Sequence, residues 1–176
     1  FDLTMSYGTK NAEGFNWNST KVVNAPGSFI VKGNGKVTFG TGINTASTNV
    51  NGTGNFIAEA GANLIITSST GISTPGIDTV GCIRLTGTRT FGNNVNYNFT
   101  KNQASVKSRI GTSFGTEITS IGKLTVNNPY GVELSNSNVT VSDSLLLVAG
   151  KLATGTYKVT VGSSAGIAKT DSSWVI

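Results

Sequence analysis

The 176-residue sequence contains no histidine and one cysteine, Cys82. Without histidine there is no Ser-His-Asp or Cys-His nucleophile and no imidazole-based metal site. One cysteine cannot close an internal disulfide. It lies in Val80-Gly81-Cys82-Ile83-Arg84-Leu85, at the start of an alternating segment, where a small core residue is expected. Charge is also scarce. Asp, Glu, Lys and Arg make up 12% of the chain, against about 25% in ordinary domains. The eight acidic residues are spread along the sequence rather than clustered, so neither a carboxylate-built cation site nor any other metal site is expected. No stretch approaches the roughly 18 apolar residues of a membrane span. No window repeats its apolar residues every 3.6 positions, so almost no helix is expected.

The net charge is +5. The 13 basic residues never form a run, and the spaced aromatic and basic motifs of RNA-binding folds are missing. A mildly basic solvated surface is therefore expected, without a nucleic-acid partner. Gly33-Asn34-Gly35-Lys36 and Gly52-Thr53-Gly54 lack the following helix that a phosphate loop uses. They read as turns, and no cofactor is expected.

Gly, Ser, Thr and Asn fill the gap left by charge and make up nearly half of the chain. Gly and Asn supply positive-φ corners, and Thr suits the pleated surface of a strand. The clearest pattern runs from Lys123 to Gly162. Leu124-Thr125-Val126, Val132-Glu133-Leu134 and Val139-Thr140-Val141 are followed, in order, by Leu145-Leu146-Leu147, Leu152-Ala153-Thr154 and Val159-Thr160-Val161. Each triplet thus recurs after a near-constant interval. Three short strands per interval predict an all-β solenoid, a right-handed parallel β-helix of about 20–21 residues per coil. The runner-up is a pair of antiparallel β-sandwich adhesin domains. No hairpin signal separates successive triplets, which favours the solenoid.

Within each triplet the outer residues should face the core and the middle one solvent. That buries Leu124, Val126, Val132, Leu134, Val139, Val141, Leu145, Leu147, Val159 and Val161, and exposes Thr125, Glu133, Thr140 and Thr160. Extended backward, the register places Ala104 beside Leu124 and Val106 beside Val126. The spacing from Ile83 to Ala104 would then mark one more coil. Residues 55–176 are read as the solenoid section and 1–54 as an irregular N-terminal coil or cap. Ser28–Val31 and Lys36–Phe39 fit either two coil strands or a hairpin. The polar stretch 40–54 is a candidate for specificity. The chain opens at Phe1 without a methionine or signal segment, and is expected to be a mature or excised piece of something longer.

The run from Lys123 to Gly162, with Gly61-Ala62-Asn63-Leu64 and Thr86-Gly87-Thr88-Arg89-Thr90-Phe91 upstream, resembles a repeat unit of very large surface and secreted proteins of Bacteroidetes-type bacteria. The likeness covers about residues 55–176 and is closest in the C-terminal half. It implies a β-solenoid stalk section of an extracellular, adhesin-like protein, in some members linked to gliding motility, cut here within an array of repeats. Its partners would be neighbouring repeats of the same chain. The family supplies no active site to carry over.

Three functions are therefore weighed. The first is a non-enzymatic stalk section of an extracellular adhesin or surface filament. The second is a carbohydrate- or surface-binding module that stacks sugars on exposed aromatics. Its candidates are Tyr130, in the turn Asn127-Asn128-Pro129-Tyr130-Gly131, with Trp17 and Trp174, although both tryptophans also suit a cap or the core. The third is a polysaccharide-acting β-helix enzyme, for which Asp78 with Arg84 and Arg89 would be the acid and basic groups. Asp78-Thr79-Val80 and Asp143-Ser144-Leu145 resemble the short O-glycosylation motif of such secreted proteins, with Thr79 and Ser144 as acceptors. Asn18, Asn51, Asn98 and Asn138 begin Asn-x-Ser/Thr tripeptides, a pattern common in any chain this rich in Asn and Thr.

Overall fold

The structure is a computed structural model that describes residues 3–5, 15–16, 23–24, 27–39, 50–72, 81–100, 106–110, 117–118, 120–135 and 138–176. Among these the chain is all-β and contains no helix. It makes repeated passes of short strands. The first pass holds β1 (Leu3–Met5), β2 (Phe15–Asn16) and β3 (Val23–Asn24). The second holds β4 (Ser28–Val31), β5 (Lys36–Phe39) and β6 (Val50–Gly52). The third holds β7 (Asn55–Ala58), β8 (Asn63–Ile66) and β9 (Ile83–Leu85), and the fourth β10 (Arg89–Phe91), β11 (Val95–Thr100) and β12 (Ser108–Arg109). Then come β13 (Ile121–Asn127) with β14 (Val132–Glu133), β15 (Val139–Ala149) with β16 (Leu152–Ala153), and β17 (Val159–Val161) with β18 (Gly166–Lys169).

Each strand pairs with its counterpart in the neighbouring pass. One sheet runs β1-β4-β7-β10 and another β3-β6-β9. A third runs β12-β14-β16 and is extended by a bridge from Leu152 to Val175. The largest runs β2-β5-β8-β11-β13-β15-β17, with β18 also on β15. All the described strand pairs are parallel. The antiparallel sandwich is therefore not what forms. β4 and β5 belong to different sheets, so Ser28–Val31 and Lys36–Phe39 are not a hairpin. The turn between them carries the chain from one sheet to the next. The sheets also run on across residues 54 and 55.

The C-terminal register is the one the triplets predict. Leu124 pairs with Leu145, Val132 with Leu152, and Val139 with Val159. Leu124, Val126, Val132, Leu134, Val139, Val141, Leu145 and Leu147 are buried, while Thr140 and Thr160 are exposed. Val159 and Val161 are only half-buried, because the last pass has a neighbour on one side only. Two triplets expected as separate strands merge into the single eleven-residue β15.

Upstream the constant period fails. The neighbour of Leu124 is Tyr97 and that of Val126 is Phe99, a shift of 27. Ala104 lies outside the described residues, and Val106 is exposed rather than stacked in the core. Ile83 pairs with Val50, a shift of 33. β4 to β7 is a shift of 27, and β7 to β10 one of 33. Longer connections between strands absorb the difference without moving the register. The entropy of closing a loop rises only slowly with its length, by about 0.6 kcal/mol per doubling.

One core runs through these passes from Phe29 to Leu152. Its early part is aromatic. Phe29 and Phe56 stack with centroids 5.9 Å apart, and Phe56 and Phe91 lie 5.3 Å apart. Its later part is aliphatic, with Leu124 and Val126 against Leu145 and Leu147. Each such side chain stabilises the fold by about 1.5–3 kcal/mol relative to exposure.

Candidate functional site

The turn that presents Tyr130 is fixed by Asn128. The Asn128 side chain is buried, and its Nδ2 donates to the Val106 carbonyl at 3.0 Å and to Ser108 Oγ at 3.0 Å. Its Oδ1 accepts from the Tyr130 amide at 3.1 Å, an Asx turn, while the Gly131 amide donates back to the Asn128 carbonyl at 2.8 Å. Tyr130 is thereby held out at the corner between β13 and β14, 47% exposed.

Trp174 reaches the same side of the molecule two passes later. Leu152 donates to the Trp174 carbonyl at 3.0 Å, which aligns residues 107, 131, 151 and 174 along one edge. The indole is exposed, but the Lys151 ammonium sits over it, 4.4 Å from the ring centroid. A cation on a ring face is attractive, and it also covers a face a sugar would use. A groove of about 420 Å³ opens here, lined by Lys107, Tyr130, Lys151, Ser172 and Ile176 among others. Lys107 is tied to Glu133 at 3.1 Å. Two of the three aromatic candidates thus share an edge. Trp17 and Thr79 lie outside the described residues.

Ser144 is half-buried on the outer face of the large sheet. It sits inside β15, between Lys123 on one side and Gly166 on the other. Sheet pairing surrounds this position, unlike the exposed loops where glycans are usually carried.

The same face carries a feature that sequence reasoning missed. The outward position of β5 is Lys36, of β8 Asn63, of β11 Asn96 and of β13 Lys123. Asn63 Nδ2 donates to the Gly61 carbonyl at 3.2 Å, Asn96 Nδ2 to Asn63 Oδ1 at 3.1 Å, and the Lys123 amide to Asn96 Oδ1 at 2.9 Å. The two amides form a ladder that bridges the irregular register between β11 and β13. Gly122 makes room for it: a Cβ there would lie 2.7 Å from both Asn96 Oδ1 and the Asn94 carbonyl. Beside this file runs a second, Thr38, Ile65, Asn98 and Thr125. Between the files lies a groove of about 440 Å³. Asn98 Oδ1 is buried there with no hydrogen-bond partner among the described residues. The long and unequal shifts between these passes hid the alignment in an Asn-rich sequence.

The basic residues considered for lyase chemistry are engaged elsewhere. Arg89 follows Phe29 and Phe56 in a core file and is buried. Its Nη2 and Nε clamp Glu117 at 2.7 and 3.2 Å, and its Nη1 donates to the Ile83 carbonyl at 3.1 Å. Breaking such a buried pair from one side costs about 3–5 kcal/mol. Arg84 Nε donates to the Gly81 carbonyl at 2.7 Å. Asp78 lies outside the described residues. Cys82 is wholly buried, and loss of solvent pushes its thiol up to about 12, the state of an inert core residue. Among the described residues, no group of three or more His, Cys, Asp or Glu is placed to hold a metal ion. No described helix is long and apolar enough to cross a membrane.

Comparison with models of protein families, with curated proteins and with solved structures finds no match to this chain.

Proposed function

We propose that the chain is a section of a right-handed parallel β-helix that serves as a non-enzymatic stalk in a large extracellular bacterial adhesin or surface filament. The observation that carries this reading is the unbroken stack. Strands of successive passes pair in parallel through the large sheet, over one continuous core. Parallel connections within a sheet are right-handed in about 98% of cases, which supports the hand. A stack of this kind is stiff along its axis, because every inner pass is hydrogen-bonded to two others. It holds whatever is attached to its ends at a fixed separation. Pulling the chain between its termini is the test. The expected record is stepwise, with the C-terminal passes released in increments of about 70 Å, the extended length of a pass of about 20 residues at roughly 3.6 Å each. Smooth extension without discrete steps would sink the stalk.

A second reading has its own observation, the shared edge that holds Tyr130 and Trp174. In it the edge stacks neutral sugar rings. Binding to a neutral glycan array should then fall about tenfold or more in Tyr130→Ala, as expected when one aromatic platform is removed. Unchanged binding, or none by the parent chain, would remove this edge as a site.

A further inference from the structure

We infer that the outer face of the large sheet binds an acidic polysaccharide in the groove between Lys36 and Lys123. The groove crosses β5, β8, β11 and β13. Adjacent strands lie about 4.8 Å apart, so the two lysines are carried by strands about 14 Å apart. Among the described residues no carboxylate lies within 4.0 Å of either ammonium. Lys32, Arg89, Lys107 and Arg109, in contrast, each have an acidic partner. None of the described residues that line the groove is a carboxylate.

The space between the cations is neutral and polar. Asn98 offers an amide whose buried oxygen has no partner among the described residues, and buried polar groups in native structures are nearly always paired. Thr125 adds a hydroxyl, and Ile65 a half-buried apolar side chain in the same file. The ladder through Asn63 and Asn96 locks the floor, so little ordering is left to pay on binding. A strip of amide and hydroxyl groups flanked by two cations with no described acidic partner matches a chain of hydroxylated rings bearing spaced anions. A neutral glycan would leave both lysines unanswered. A nucleic acid would find no stacking platform among the described residues of the groove, because Tyr97, the aromatic residue along it, turns its ring into the core. The site is separate from the Tyr130 edge and does not depend on the stalk role.

The test is titration of the whole chain with polygalacturonate, dextran sulfate, neutral dextran and single-stranded DNA, at matched ionic strength. The chain should bind at least one of the two acidic polymers and not dextran. Polygalacturonate identifies a carboxylate as the anion, dextran sulfate a sulfate, and either supports the site. Affinity should fall about tenfold or more in Lys36→Gln combined with Lys123→Gln, and again in Asn98→Ala, the loss expected for charged or buried hydrogen bonds. Lys151→Gln, at the Tyr130 edge, should leave it unchanged. Thermal melting of each variant at the parent temperature shows that the fold is intact. The site is overturned by three results: no binding to either acidic polymer, an equal loss in Lys151→Gln, or DNA bound as tightly as the polysaccharide.

Discussion

Val141→Asp is expected to unfold the C-terminal passes, and Thr140→Asp to leave them folded. The two residues are neighbours in β15 but face opposite ways. Val141 is 0% exposed, between Ile121 on β13 and Val161 on β17. Thr140 is exposed and pairs with Thr160. An aspartate at 141 would place a carboxylate among apolar side chains with no described partner, at a cost of about 4 kcal/mol or more. At 140 the same change stays within about 0.5 kcal/mol, as is usual for surface sites. Thermal denaturation followed by circular dichroism reads the difference. Labelling of Cys82 shows how far the damage spreads. That thiol lies buried in the third pass, so it should stay protected if only the later passes open. Equal melting temperatures for the two variants would mean that the assigned faces of β15 are wrong.

Gly150→Ala should be nearly as damaging, and Gly155→Ala mild. Both glycines have left-handed backbones, with φ of +78° and +59°. An alanine in that conformation costs about 1–2 kcal/mol by itself. At Gly155 that is the whole cost, since an added Cβ meets nothing within 4 Å. At Gly150 the Cβ would run into the Asn128 carbonyl and lie 2.9 Å from the Gly131 nitrogen. Both are backbone atoms of the turn that carries Tyr130, and neither can swing aside. The total should reach about 3 kcal/mol or more, seen as a far larger drop in melting temperature than for Gly155→Ala. Equal drops would show that this corner relaxes freely.

The C-terminal register was legible because its passes have nearly equal length. There one near-constant shift superimposes Leu124 on Leu145 and Val139 on Val159, and the period appears directly in the sequence. Earlier passes keep the same pairing logic but differ in the connections between strands, so a fixed period points to Ala104 where the fold uses Tyr97. Alternation survives even there: Val95, Tyr97 and Phe99 face in, and Asn96 and Asn98 face out. A local period of two is dictated by the pleat, whereas the distance between passes is dictated by nothing local. Arg89 was misleading for a related reason. The sequence offers it as a basic group for a site, and only the file through Phe29 and Phe56 reveals that it is buried. Tyr130 could be read as exposed because Asn, Pro and Gly around it specify the turn. The groove of Lys36, Asn98 and Lys123 could not be read, since its residues meet only through the longer, unequal shifts of the earlier passes.

The unequal passes have a consequence for how such a chain changes length. In the C-terminal half each pass offers the next the same strand positions, whatever its connections contain. Val132 and Leu152 occupy equivalent places, as do Gly131 and Lys151. Residues 132–151 are therefore a removable unit: join residue 131 to 152, and Leu152 inherits the seat of Val132 beside Ser108. Recombination between similar passes would shorten or lengthen the stack in quanta of about 4.8 Å, with no new interface to invent. Reach becomes a matter of counting, and each connection is left free to diversify on its own.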